Sequence, residues 1–141
     1  MAEYTANAIQ AVSASHNVVF TDTVANCNKG YIIHRPGSGI VTLRGITNQC
    51  KARYKVSFGG NIAVPTDQTV GAISLAIALN GEPISTTNAI VTPAAVNEYF
   101  NVFTAIYVDV PKCCCHTVSV ENTSTIPIDV QNANLIVERL S

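Results

Sequence analysis

The chain has 141 residues, of which 48% are hydrophobic and only 12% charged, and its net charge is −1. Charge at about half the usual share, and so evenly balanced, excludes the basic footprint that nucleic acid requires. The apolar runs, "GAISLAIAL" among them, are too short and too interrupted for a membrane-spanning helix.

Residues 1–16, within "MAEYTANAIQAVSASHN", have neither the basic nor the apolar region of an export signal. The expectation is a protein made in a bacterial cytoplasm. The segment is small and polar without a core pattern, and it reads as a partner-contacting or flexible arm. Glu3, Tyr4 and Ile9 are its contact candidates.

From residue 17 onward β-branched and aromatic runs recur between Gly, Pro, Asn and Asp, and helical periodicity is nearly absent. Strands are predicted at 17–23, 30–35, 39–45 and 52–64, with a bulge or bend at Gly59-Gly60. Tyr54, Val56 and Phe58 share one face of the last of these. Lys51, Arg53 and Lys55 alternate on the other as a solvated edge. The run 71–79 is apolar on both faces, which suits a covered strand. Asn80-Gly81 then predicts a two-residue hairpin into 82–92. Pro93 after Thr92 predicts a helical turn over 93–100. Further strands are predicted at 98–110, 116–123 and 128–140. Nine short strands joined by tight turns define an all-β class, an antiparallel sandwich or barrel over 17–141.

The five cysteines pose the sharpest chemical question. If successive strands alternate in direction, Cys27, Cys50 and Cys113–Cys115 gather at one end of the sandwich. A zinc site needs four ligands in tetrahedral array, usually in spaced pairs, and "PKCCCH" lacks that spacing. Cys113, Cys115 and His116 remain metal candidates only if a three-fold axis collects one set from each subunit. A Cys27–Cys50 disulfide is open in an oxidising setting. Idle thiols at a strand end are the plain alternative. His34 and His116 invite pairing with Cys115, but catalysis needs contact and an orienting third group. His16 reads as a loop residue. Glu98 and Asp109 have no partner placed for acid–base work. No catalytic residue, cofactor or enzyme activity is expected.

Four stretches, in order, resemble the jelly-roll superfamily of tumour necrosis factor and the complement C1q globular heads. "RYKVSFGGNIAV" is similar to the family's long core strand, and "SLAIALNGEPI" to its apolar strand and Asn-Gly hairpin. "VDVPKCCCHTVSVENTS" resembles the strand, turn and "VSV" strand, with "PKCCCH" in place of the usual turn. "ANLIVERLS" resembles the terminal strand. The likeness spans 17–141 and is nearest to small Firmicutes and prophage members.

That resemblance implies a jelly roll and a homotrimer. The composition independently asks for hidden surface: Tyr99, Phe103 and Tyr107 fall on one face of the strand 98–110, Phe100 and Val102 on the other. Either one face is a subunit contact, with Tyr99, Phe103 and Tyr107 as candidates, or both are buried within one sandwich. The functional expectation is a structural virion protein, a trimeric capsid-decorating (cement) or head-fibre protein of a phage or prophage. Its partner would be the major capsid protein or another virion protein, without nucleic acid or membrane. The alternative is a cell- or spore-surface module recognising carbohydrate or a protein receptor.

Overall fold

The computed structural model describes residues 1–26 and 30–140. In chain order the strands are β1 (Ala2–Ala6), β2 (Gln10–Val12), β3 (Asp22–Asn26), β4 (Ile32–His34), β5 (Val41–Arg44) and β6 (Lys51–Ala63). Then follow β7 (Ile73–Leu79), β8 (Glu82–Pro83), β9 (Ala89–Val91), β10 (Phe100–Pro111), β11 (Cys115–Asn122) and β12 (Ile128–Arg139). One sheet runs β10-β6-β12-β1-β3, with β2 also on β12. The other runs β4-β5-β11-β7-β8, with β9 also on β7. Every pairing is antiparallel. The chain is therefore an all-β antiparallel sandwich, as its alternation predicted, with the jelly-roll form that the resemblance implied. No helix among the described residues is long and apolar enough to cross a membrane.

The inward faces carry the core. Tyr54, Val56, Phe58 and Ile62 of β6 meet Leu43, Ile73, Leu75 and Ile77 from the opposite sheet, all fully buried. A large aliphatic side chain so placed contributes about 1.5–3 kcal/mol through apolar surface removed from water. The reverse of β7 is covered as well: Ala76 and Ala78 are fully buried. Along β7 the ladder passes from β9 at Ile73–Leu75 to β8 at Ala78–Leu79. Thr87, from a short 3-10 turn (Ser85–Thr87), fills the gap by accepting the Ile77 N–H at 2.9 Å and donating to Ile84 O at 2.7 Å. The Asn80-Gly81 hairpin forms as expected, with φ of 52° and 87°. Both lie in the left-handed region that such a turn requires.

Three expectations are corrected. Residues 1–16 are not an arm. Alternation of Ala2, Tyr4 and Ala6 inward seats β1 between β12 and β3, and β2 pairs with β12. Tyr4 is 2% exposed and belongs to the core, Glu3 is half-buried and accepts a hydrogen bond from the Asn134 amide, and Ile9 alone of the three is exposed. The domain accordingly begins at β1. Residues 93–100 hold no helical turn: Asn97 takes φ 56° and donates its N–H to Val64 O at 2.9 Å, which ties the segment to β6 as a crossover. The irregularity expected at Gly59-Gly60 falls on the neighbouring strand, between Gln131 and Asn134 of β12. Gly60 makes room there: a Cβ on it would lie 3.2 Å from the Phe58 ring and 3.4 Å from the Ala133 backbone.

Candidate functional site

β10 is the outermost strand of its sheet, and alternation divides it cleanly. Val102, Val108 and Val110 point into the core, while Phe103 and Tyr107 turn outward, 67% and 63% exposed. Register fixes their surroundings. Phe103 stands opposite Gly59, Ala105 opposite Ser57 and Tyr107 opposite Lys55. Across β6, Ser57 pairs with Ile136 and Gly59 with Asn134. Across β10, β6 and β12 the centre of this outward face is thus aromatic and small, with no charged residue in the Phe103 and Ala105 rows; Glu3 and Asp22 follow only beyond β12.

Polar groups close the face at both ends. Asn101 donates to the Asn61 side-chain oxygen at 3.2 Å. At the other end Asp109 accepts from Lys51 Nζ at 3.0 Å and Arg53 Nε at 2.7 Å. Those hydrogen bonds, Arg53 before Lys51, hold the Asp109 carboxyl below its usual value. They raise the Arg53 guanidinium in turn. Tyr99 does not share the exposed stripe: it precedes β10 and is half-buried, and that burial, then the nearby Asp129 charge, pushes its hydroxyl up.

The cysteine-bearing end forms as strand direction predicted, for the cysteines described. Lys112 N–H donates to Cys50 O at 3.0 Å. Gly45 N–H donates to Cys114 O at 2.8 Å, and Cys113 N–H to Gly45 O at 3.0 Å. Only glycine fits at 45, because a Cβ there would lie 2.1 Å from Pro111 O. Pro111–Cys114 is a tight turn, closed by Cys114 N–H on Pro111 O at 3.0 Å, with Cys113 at φ 67°. "CCCH" therefore spans the end of the β10–β11 turn and the first two residues of β11. Cys50, Cys113, Cys114 and Cys115 are free and exposed. Cys27, and with it the Cys27–Cys50 pairing, lies outside the described residues. Among the described residues no group of three or more His, Cys, Asp or Glu side chains could hold a metal ion, so Cys113, Cys115 and His116 form no site within one chain.

The histidines are otherwise engaged. His116 Nδ1 meets the Asn80 amide at 2.9 Å, on the hairpin. His34 Nε2 meets Ser38 O at 2.9 Å, and its ring lies 4.3 Å from that of Tyr4. His34 pairs with Val41 and Cys115 with Arg44 on β5, so about 10 Å of strand separates them. Asp109 is committed to two cations rather than to a second carboxyl.

Sequence reasoning missed one further feature. The β5–β6 loop and the end of β12 enclose an open concavity of about 420 Å³, lined by Tyr31, Ile46, Thr47, Asn48, Gln49 and Arg139. No local motif marks it, since 90 residues separate Gln49 from Arg139 in the sequence.

No protein-family model matches the sequence, and no curated protein matches it. Solved structures do. The globular domain of zebrafish complement 1qA protein aligns with a TM-score of 0.69 at 11% identity, over 99% of this chain and 96% of that one. The Eiger TNF of S. frugiperda aligns at 0.68 and 11% identity, over 99% and 91%. Murine APRIL aligns at 0.62 and 11% identity, over 97% and 98%. The fold is the TNF/C1q jelly roll. At this identity the likeness concerns architecture.

Proposed function

We propose that the chain is a non-enzymatic, homotrimeric module whose work is adhesion. The outward face of β10 and β6 carries this reading. Two aromatic side chains stand about two-thirds exposed there, around a small apolar centre with an ion-paired rim. Depletion of charge at the centre, aromatic enrichment and a polar rim are what a subunit contact presents. Three copies meeting through Phe103 and Tyr107 satisfy the exposed aromatics, in line with the trimer that the superfamily resemblance implies. Tyr99, half-buried ahead of β10, stands apart from this exposed pair.

The setting we favour is an assembled phage or prophage particle, with the trimer as a capsid-decorating or head-fibre protein bound to the major capsid protein or another virion protein. The low charge, which asks for surface hidden in an assembly, speaks for it. Residues 2–6 and 10–12 are strands of the sandwich rather than an arm, so in this reading the particle contact falls to exposed turns, the one carrying Ile9 among them. The second reading, a cell- or spore-surface head recognising carbohydrate or a protein receptor, is favoured by the concavity beside Arg139.

Native mass spectrometry, with and without thiol alkylation, tests the trimer. Three times the chain mass in both states is expected, and a monomer at micromolar concentration would sink the proposal. Particles released from the source culture by prophage induction and banded by density test the setting. The chain should co-band with the capsid protein, and its absence from the band would favour the surface-head reading.

A further inference from the structure

We infer that the concavity between the β5–β6 loop and the end of β12 binds a carboxylate-bearing sugar of the uronic-acid class, with Arg139 as the partner of the carboxylate. The inference goes beyond the trimeric reading and does not depend on it. Its volume of about 420 Å³ falls in the range of small-ligand sites. Arg139 is half-buried at the wall, its guanidinium 4.1 Å from the Tyr31 ring centroid. It donates from Nη2 to Ile46 O at 2.6 Å and from Nη1 to the Tyr54 hydroxyl at 3.4 Å. These use two of its five N–H donors.

Among the described residues no carboxylate pairs with it. Among the described residues the ion pairs are those of Asp109 with Lys51 and Arg53. Arg44, whose backbone N–H bonds Tyr31 O at 2.8 Å and whose Nη1 donates to Gly30 O at 3.3 Å, is a second cation beside Tyr31 without an ion pair. A guanidinium taken partly out of water without a counter-ion is costly, and its planar fork matches a carboxylate in two parallel hydrogen bonds.

The remaining wall selects what carries the carboxylate. Asn48 and Gln49 are exposed at the rim, and Thr47 lies half-buried between them and Ile46. Amides offer a donor and an acceptor together, which suits the hydroxyl groups of a sugar ring. Arg139 is also a strut, since it ties the β5–β6 loop to β12 through Ile46 O. That strut role accounts for its two bonds and its stacking, but not for its missing counter-ion or for the amide rim.

The test uses D-glucuronate, its uncharged amide and acetate, followed by backbone amide NMR shifts of the intact chain. Saturable shifts at Ile46–Gln49 and Leu140 are expected with glucuronate and not with glucuronamide. Arg139→Lys keeps the charge but loses the fork, and should weaken glucuronate roughly tenfold. A double substitution, Asn48→Ala with Gln49→Ala, alters only exposed loop side chains and should weaken it several-fold while leaving the fold intact. No saturable shift with glucuronate would overturn the inference. Equal binding of glucuronamide would remove Arg139 from its role, and equal binding of acetate would refute the sugar.

Discussion

The Tyr54 hydroxyl, on a side chain with no exposed surface, donates to the Arg44 carbonyl oxygen at 2.6 Å and so joins β6 of one sheet to β5 of the other. The same hydroxyl lies 3.3 Å from Tyr31 O and receives the Arg139 guanidinium at 3.4 Å. Burial pushes its pKa up, opposed by the Arg139 charge. Tyr54→Phe keeps the ring and removes the bond. Chemical denaturation should show a loss of about 1 kcal/mol, the ordinary net worth of one such bond. A stability equal to wild type would mean that the Arg44 carbonyl finds another donor.

Asn122 is the second internal anchor. It is fully buried, donates to Val12 O and Ile126 O at 3.0 Å each, and accepts from Ser124 N–H at 2.9 Å. One side chain thereby closes the β11–β12 loop onto β2. Asn122→Leu leaves two carbonyls and one N–H without partners, and on the order of 3 kcal/mol should disappear from the unfolding free energy. Denaturant midpoints with an unchanged m-value would record it.

Phe103 and Tyr107 test the assembly rather than the fold. Replacing both with Glu sets two charges on a face whose reverse is the intact core. Light scattering should report a monomer, while the far-ultraviolet circular dichroism of the sandwich is retained. A trimer that survives both charges would move the subunit contact to another face.

Acid should act in two opposite steps. Burial first, and the neighbouring Glu82 and Asp67 charges second, raise the carboxyls of Glu121 and Asp129. The native state therefore takes up those protons before the unfolded chain does, and stability rises as pH falls from neutral toward about 4. Asp109 has the reverse sign: its pairing is fully present above about pH 4 and is lost as pH falls through its depressed value. Urea midpoints across this range should peak on the acid side. Asp109→Asn should flatten the fall below the peak, and Glu121→Gln with Asp129→Asn should flatten the rise above it.

Much of the sandwich is legible in the sequence because its strands alternate. β6, β7, β10, β11 and β12 fall within a residue or two of the predicted runs. β1 shows the same alternation in "AEYTA", but over five residues and with alanine, a weak strand former, on the inward face. Its strand character comes from neighbours at the far end of the sequence, in β12. Pro93, Ala94 and Ala95 have helical composition, and the long-range bond from Asn97 to Val64 overrides it. The exposed aromatic pair could be read from spacing. The concavity at Arg139 could not, since it exists only where the β5–β6 loop meets the end of β12.

The position of β12 has a consequence for synthesis. It lies between β6 and β1 at the middle of its sheet, so the two earlier strands share no neighbour until the last segment is made. Synthesis delivers β12 after every other strand of the sandwich, so the earlier strands wait in the open for it. Until then the apolar face of β6 lacks the strand that covers its inner edge. The sandwich closes only once β12 has emerged, and until then its strands are open to the wrong neighbours, including those of a second nascent copy.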